Sequence, residues 1–190
     1  MTAGTRSASR QGCLSGDIRI ATGNPSKVRL LGGYLMAAGI VAVMADPGDA
    51  EDRAAVGYES AVRAKLAGVP EGGPPVVAHD SGFEFECLGG GPGPRTKYWL
   101  ATAGDVHHLL VPGTRVRVVH GVGLRDGSRL LVRLDHDDRL VPEHFALQDS
   151  ALPLTDCFVG PRDSLGRLMT WVAAEISRGT ERIPDPKEET

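Results

Sequence analysis

The chain has 190 residues, 41% of them hydrophobic, which is enough for one globular domain with a substantial core. Its net charge of −3, without any block of Lys and Arg, argues against a protein that binds nucleic-acid polymers or membrane surfaces. The first residues lack the apolar h-region typical of a signal peptide, and no apolar run has membrane-spanning length. The three well-separated cysteines show no metal-ligand spacing and fit a reducing compartment, so we expect a cytoplasmic protein.

The first predicted elements are a strand and a helix with a polar turn between them. Residues 1–16 lack hydrophobic periodicity and predict a mobile tail, and the main domain is expected to span residues 17–183. Strand residues 17–21 precede Thr22-Gly23-Asn24-Pro25-Ser26-Lys27, and apolar residues then recur at helical spacing from Val28. The free N–H groups of a helix start, with a Lys in its first turn, suit a phosphate, although such a Lys is more often simply solvated.

A second strand and a second helix come next. Residues 40–44 predict the strand, and residues 46–52 predict an acidic loop. Most acidic side chains in loops of this kind are simply exposed to solvent. Glu59 to Leu66 predicts the helix, with Val62 facing the core and Lys65 facing solvent.

The most informative stretch is Val76 to Leu100. An apolar run predicts a strand that ends at His79-Asp80-Ser81-Gly82, where Gly82 allows a sharp turn. Asp80 would then lie at the carboxyl end of the strand, where ligands bind in open α/β sheets. After an alternating piece, residues 83–87, comes a Gly/Pro loop, residues 89–94, and then Lys97. The loop's N–H groups and the Lys suit an anion, but the loop taken alone is equally well explained as a plain connection.

The last third of the chain predicts an antiparallel hairpin. Residues 116–124 and 129–134 form its strands, and a turn at residues 125–128 joins them. Residues 105–110 predict a helical segment in which adjacent His107 and His108 point to different faces, which does not favour a metal site. Residues 184–190 are Pro- and Glu-rich and predict a frayed tail.

Two motifs together resemble those of the inosine triphosphate pyrophosphatase family, enzymes that hydrolyse non-canonical purine nucleoside triphosphates. The first motif is Asp-Ser-Gly at residues 80–82, followed by Leu-Gly-Gly-x-Pro-Gly-Pro at residues 88–94 and Lys-Tyr-Trp at residues 97–99. The second is Thr-Gly-Asn-x-x-Lys at residues 22–27. The sequence departs from the family at His79, where an acid is usual. The order of strands and helices up to Leu88, followed by the hairpin, predicts a mixed α/β fold, with a long twisted sheet flanked by helices and two lobes with a cleft between them. The resemblance implies that this cleft holds a nucleotide and that the protein is a homodimer.

The resemblance also implies a site. Asp80 and Lys27 would be catalytic, and Mg²⁺ would be held by Asp80 and by an acid ahead of the second helix, either Asp52 or Glu51, with Glu59 the next acidic position. The residues implied to hold the substrate's triphosphate are Thr22, Gly23, Asn24, Lys27, Ser81, Gly82 and Lys97.

The base-binding half of the site is expected to be eroded. The family's Phe-Gly-Tyr/Trp-Asp-Pro and Ser-His-Arg motifs are incomplete here, and their possible remnants are Asp156, Phe158, Ser177 and Arg178.

Three functions remain open. The first is Mg²⁺-dependent hydrolysis of a nucleoside triphosphate to a monophosphate and pyrophosphate, with inosine, xanthosine and deoxyinosine triphosphates as default substrates. The second is an enzyme of the same fold recruited to another nucleotide, and the third is a non-catalytic nucleotide-binding protein. His79 is either a proton-transfer group, with activity falling below pH ~6.5, or a tolerated replacement.

Overall fold

The structure is a computed structural model, and it describes residues 18–48, 56–102, 109–143 and 157–180. Within those ranges, no helix combines the length and apolar character that crossing a bilayer requires. The helices and strands, in chain order, are β1 (Ile18–Ala21), α1 (Pro25–Ala37), β2 (Ala42–Ala45), α2 (Tyr58–Gly68), β3 (Val76–Phe85), β4 (Pro92–Gly93), α3 (Thr96–Thr102), β5 (Arg115–Asp126), β6 (Arg129–Leu140) and α4 (Ser164–Thr180).

The described strands form one mixed six-stranded sheet with the order β2-β1-β3-β5-β6, and β4 pairs separately with β3. Strand β1 runs parallel to both β2 and β3, and the intervening connections carry α1 and α2. Strands β3, β5 and β6 run antiparallel to their neighbours. The prediction of a mixed α/β fold is confirmed, and the predicted hairpin is present with two strands of 12 residues each.

Strand β3 corrects one sequence prediction. The chain does not turn at Gly82, because β3 pairs with β5 without interruption from Val76 to Phe85. Gly82 is required for another reason: a Cβ atom there would lie 2.2 Å from the carbonyl oxygen of Gly93. Asp80 therefore lies within a strand, two residues beyond Ala78, where the parallel pairing with β1 ends. It still lies at the carboxyl edge of the parallel part of the sheet.

The two faces of the sheet carry different cores. Alternate residues of a strand point to opposite faces, so Val77, His79 and Phe83 share one face and Ala78 and Asp80 share the other. Helices α1 and α4 cover part of the first face, over a core cluster that includes Leu31, Leu35, Val77, Val122, Leu168 and Val172. Further along the same face lies an aromatic cluster of Phe83, Phe85, Val116, Val118 and Phe158.

Helix α2 packs on the opposite face. Its residues Val62 and Leu66 contact a small cluster with Ala21, Val76 and Ala78. Glycines in β5 allow this close approach, since a Cβ at Gly123 would lie 2.6 Å from a methyl group of Val62. The helix is thereby held against β3 at the level of Asp80.

Candidate active site

Asp80 is the centre of the site because two lysines approach one of its oxygens. The Nζ atom of Lys65 lies 2.5 Å from Oδ1 of Asp80 and also donates to the carbonyl oxygen of His79 at 3.3 Å. Nζ of Lys27 lies 3.9 Å from the same Oδ1. Two positive charges and one negative charge leave this cluster with an excess positive charge, which suits an anionic ligand.

Lys65 was predicted to face solvent, and that prediction is wrong: the residue is 7% exposed. Tyr58, Val62 and Lys65 are spaced to lie on one face of α2, and all three are buried against the sheet. Lys is seldom buried unless it is paired, so composition alone assigns it to the surface. Two sequence features could have indicated that Lys65 is buried: its position on the apolar stripe of the helix and the presence of a carboxylate, Asp80, on the next strand.

The turn before α1 is stabilised by its own polar side chains. Asn24 caps the helix, its side chain accepting a hydrogen bond from the Ser26 N–H at 2.9 Å, and Pro25 occupies the first turn. Thr22 is buried, and its hydroxyl oxygen accepts from the Asn24 N–H at 3.1 Å. These contacts confirm the predicted helix start and place Lys27 in its first turn. Gly23 has open space where a side chain would be.

The Gly/Pro loop packs against β3 at Gly82 and Phe83. The Thr96 hydroxyl accepts from the Phe83 N–H at 2.8 Å and donates to the Gly93 carbonyl at 2.7 Å. Gly93 has φ +64°, a conformation that favours glycine. Helix α3 starts at Thr96, so the exposed Lys97 lies in its first turn. The loop is thus fixed next to the strand, as a ligand-binding loop requires.

Tyr58, the first residue of α2, lies on the Asp80 side of the sheet. It is 8% exposed, and its hydroxyl lies beside the Glu84 carboxylate. Burial, followed by the negative charges of Glu84 and Asp80 and a hydrogen bond to Glu84, raises the pKa of this phenol far above its ordinary value. Tyr58 is therefore a protonated donor at neutral pH. No local sequence pattern indicates Tyr58 as a site residue.

The face opposite to Asp80 carries a buried histidine pair. Nε2 of His79 lies 3.1 Å from Nδ1 of His120, and the rings stack with centroids 5.3 Å apart. Burial lowers the pKa of His79 well below 6.5, with Lys27 adding to the effect, and burial lowers the pKa of His120 to about 4. Both rings are neutral at pH 7. This argues against proton transfer by His79 near pH 6.5 and favours its being a tolerated replacement.

The described residues predicted for the base-binding half, Phe158, Ser177 and Arg178, are not gathered around Asp80. Phe158 is 1% exposed and packs edge-on against Phe83 and Phe85, with ring centroids 5.1 and 5.6 Å away, so it belongs to the aromatic core cluster. Asp156 lies outside the described residues.

Ser177 and Arg178 lie near the end of α4. The Ser177 hydroxyl donates to the Ala173 carbonyl, and Arg178 binds Glu175, which in turn binds Arg129 at the start of β6. In the hairpin, Arg129 of β6 pairs with Asp126 of β5. Asp126 lies five residues along β5 from Gly121, which pairs with Asp80 of β3. At about 3.3 Å per residue, this end of the hairpin is about 17 Å from Asp80, on the side away from the carboxyl edge.

Few of the described residues are placed to serve as metal ligands. Among the described residues, no three His, Cys, Asp or Glu side chains are close enough together to hold a metal ion. Glu51 and Asp52 lie outside the described residues, and Glu59 is bound to Arg63 on the exposed side of α2 at 2.7 Å. The Asp80 carboxylate fits one ligand position of a Mg²⁺ ion, which commonly takes one or two carboxylates together with substrate phosphates and water.

Comparison with known families decides the identity of the fold. The sequence model of the Ham1 family matches residues 18–115, which are 98 of the 190 residues. The chain belongs to the Ham1 family. The matched segment contains the turn before α1, the buried Lys65 and all of β3, so the site described above lies within it. Membership confirms the resemblance to inosine triphosphate pyrophosphatases and supports a hydrolase that acts on nucleoside triphosphates.

Solved structures of Ham1 proteins share the fold. A HAM1 protein from Coxiella burnetii is 11% identical with a TM-score of 0.59, covering 86% of this chain and 99% of its own. The Staphylococcus aureus Ham1 protein is 14% identical with a TM-score of 0.53, covering 84% and 99%. A nucleoside-triphosphatase, or dITP/XTP pyrophosphatase, from Mycobacterium abscessus is 19% identical with a TM-score of 0.54, covering 88% and 99%. No curated protein sequence matches this chain significantly.

Proposed function

We propose that this Ham1 protein hydrolyses a nucleoside triphosphate to a nucleoside monophosphate and pyrophosphate, with Mg²⁺ as cofactor. The observation that carries the proposal is the Asp80 carboxylate with Lys65 and Lys27 on the same oxygen, at the carboxyl edge of the parallel strands. The default substrates are inosine, xanthosine and deoxyinosine triphosphates. The similarity to the Mycobacterium abscessus dITP/XTP pyrophosphatase supports this choice. We also propose that the enzyme is a cytoplasmic homodimer.

The triphosphate is held by cations and by backbone N–H groups. Lys27 and Lys65 lie beside Asp80, and Lys97 lies in the first turn of α3, beyond the Gly/Pro loop. The start of α1 adds N–H groups that point toward an anion. In this arrangement the residues nearest the phosphates are Thr22, Gly23, Asn24, Lys27, Ser81, Gly82 and Lys97.

Hydrolysis requires a water molecule aligned with the α-phosphorus. Asp80 orients that water and accepts its proton, while Lys65 fixes the direction of the carboxylate. The new bond forms between the water oxygen and the α-phosphorus, and the bond to the oxygen that bridges to the β-phosphorus breaks, so pyrophosphate leaves. Asp80 and an acid at Asp52 or Glu51 would hold Mg²⁺, which neutralises phosphate charge when bound.

Base selectivity is proposed to be weak. The candidate base contacts of Ser177 and Arg178 lie at the far end of the hairpin, and Phe158 lies in the core. Binding free energy then comes mainly from phosphates and metal, which all nucleoside triphosphates share. Each unmade base-specific hydrogen bond lowers discrimination by ~1–3 kcal/mol. The same observation favours the second candidate function, a Ham1 enzyme recruited to a nucleotide with another base.

A pyrophosphate-release assay over canonical and deaminated nucleoside triphosphates, with Mg²⁺ or with a chelator, tests the proposal. We expect Mg²⁺-dependent pyrophosphate release, and a kcat/KM for inosine triphosphate less than a hundredfold above that for adenosine triphosphate. A preference of a hundredfold or more, about 2.7 kcal/mol, would show that base recognition is intact. Nucleotide binding by calorimetry without turnover of any substrate would instead establish the third function, a non-catalytic binding protein.

A further inference from the structure

The Asp80 carboxylate is paired with two ammonium groups before any ligand arrives. Nζ of Lys65 lies 2.5 Å and Nζ of Lys27 lies 3.9 Å from the same oxygen, Oδ1. These contacts are sheltered, because the side chains of Lys65, Asp80 and Lys27 are 9%, 15% and 27% exposed. Salt screens partly buried charges less than it screens charges at the surface. The two lysines therefore act strongly on any ion that approaches Asp80.

The other acids of α2 and β3 each have a cation of their own. Glu84 lies on the same face of β3 as Asp80, and its carboxylate is 3.8 Å from the guanidinium of Arg117. Glu59 on α2 is bound to Arg63 at 2.7 Å. Neither acid therefore adds an unpaired negative charge beside Asp80, and the excess positive charge of the lysine pair remains.

A free divalent cation and a metal–nucleotide complex meet this cluster differently. A free Mg²⁺ ion is attracted by one carboxylate but repelled by two ammonium groups, of which one is hydrogen-bonded to that carboxylate. Mg²⁺ also gives up its water ligands reluctantly, so a single paired carboxylate is a poor site for it. A nucleoside triphosphate that carries the ion brings net negative charge, which the same lysines attract. The discrimination comes from the charge of the ligand and requires no movement of Lys65.

We propose that Lys65, together with Lys27, is the internal counter-ion of Asp80: it keeps free divalent cations off the carboxylate, so that the metal is bound only as its complex with the triphosphate. The identity of that ligand rests on the proposed function, to which the counter-ion adds an order of binding. A lysine that only oriented Asp80 as a metal ligand would have the opposite effect, because its removal would weaken the binding of a free ion.

The test titrates Mn²⁺ alone, as a paramagnetic substitute for Mg²⁺, into the protein without nucleotide and measures the free ion by electron paramagnetic resonance. We expect weak binding by wild type and a dissociation constant lower by about tenfold or more in Lys65→Met. Arg63→Met removes the same charge from the exposed side of α2 and should match wild type. In the double variant Lys65→Met/Asp80→Asn the gain should disappear, which locates it at Asp80.

Two outcomes of this titration would overturn the proposal. The first is a dissociation constant for Mn²⁺ in Lys65→Met that is equal to or higher than that of wild type. The second is a gain in affinity that survives in the double variant with Asp80→Asn, since the ion would then be bound elsewhere.

Lys27→Met gives an independent measurement if removal of the buried Lys65 unfolds the protein, which circular dichroism would show. Lys27 lies in the first turn of α1, and its side chain is less buried than that of Lys65. Its greater distance from Asp80 predicts a smaller effect, a dissociation constant for Mn²⁺ about two- to fivefold lower than in wild type. If Lys65→Met is unfolded, a value in Lys27→Met at or above that of wild type overturns the proposal.

Water-proton relaxation tests the order of binding in wild type, because the relaxation rate rises when Mn²⁺ is held on the protein. With Mn²⁺ alone the rate should stay close to that of the free ion, and it should rise once α,β-methylene inosine triphosphate is added. A full rise with Mn²⁺ alone, or no rise with the analogue present, would refute the order of binding.

Wild-type turnover separates failure of the counter-ion role from failure of the proposed function. If wild type releases pyrophosphate but Lys65→Met gains no affinity for Mn²⁺, the counter-ion role is wrong and the proposed function stands. If wild type hydrolyses no nucleoside triphosphate but Lys65→Met binds Mn²⁺ more tightly, the counter-ion role of Lys65 stands and the proposed function is wrong.

Discussion

Lys65 of α2 and Asp80 of β3 form a short ion pair, 2.5 Å between Nζ and Oδ1, although 15 residues separate them in the chain. Their side chains are 9% and 15% exposed. A carboxylate that we propose to hold a metal ion or orient a water is thus tied to a lysine that, in the proposed function, a triphosphate would attract. The first two predictions follow from this pair.

Replacing Lys65 with Met should abolish most of the activity. Met fills a similar volume but lacks the charge that orients Asp80 and binds phosphate, so we expect kcat/KM to fall about a hundredfold or more. The control is Arg63→Met, on the exposed side of the same helix, where the arginine pairs with Glu59. Pyrophosphate release at equal protein concentration measures both. A Lys65→Met enzyme as active as the Arg63→Met enzyme would contradict the prediction.

Asp80→Asn should lose turnover while keeping the fold. The amide keeps the shape of the side chain but loses the charge that a hard cation and a proton acceptor require, so kcat should fall about a thousandfold or more. Asp138→Asn is the matched control, because Asp138 is exposed on β6 and pairs with Arg117. Circular dichroism should show the same secondary structure for both variants. Parental activity in Asp80→Asn would remove Asp80 from the mechanism.

Gly82→Ala should destabilise the protein strongly. The new methyl group would lie 2.2 Å from the Gly93 carbonyl oxygen and 3.0 Å from the Thr96 hydroxyl, so strand and loop must separate. We expect the free energy of unfolding in urea to fall by about 3 kcal/mol or more. Gly33→Ala on α1, with no heavy atom within 4 Å of the new group, should instead raise it by up to about 1 kcal/mol. Equal free energies of unfolding for the two variants would show that the loop can move away from the strand without loss of stability.

Stability should fall in mild acid because of His120. Its pKa is lowered to about 4 in the folded protein from an ordinary 6.5, so the unfolded chain binds the proton more tightly. The free energy of unfolding is therefore unaffected by this group above pH 6.5 and decreases as the pH falls from about 6.5 to about 4. Between pH 7.5 and 5 the expected loss is about 2 kcal/mol.

The histidine prediction is checked by urea unfolding of wild type and His120→Gln at both pH values. Gln keeps a polar group next to Nε2 of His79 but does not titrate. The variant should lose about 2 kcal/mol less than wild type on acidification. An identical pH dependence would show that His120 is not the group responsible.

Local sequence patterns determined much of this protein. The alternating and helical periodicities predicted the mixed α/β fold and the hairpin, because each depends on which residues share a face. The start of α1 was also predictable, since Asn24 and Pro25 favour a helix start through their own chemistry. The Asp-Ser-Gly motif indicated the central role of Asp80, although the nearby turn was wrongly predicted.

Tertiary structure decided the rest, because these features depend on residues far apart in the chain. Gly82 looks like a turn residue until Gly93 is seen to pack against it, and Lys65 looks like a surface lysine until α2 is placed over Asp80. The neutral state of His79 follows from its burial against His120, 41 residues away. The sequence therefore indicated Asp80 and Lys27 as candidate site residues but not Lys65. The packing of α2 and the Gly/Pro loop on β3 decided which of them meet, since burial and charge pairing arise only when distant segments come into contact.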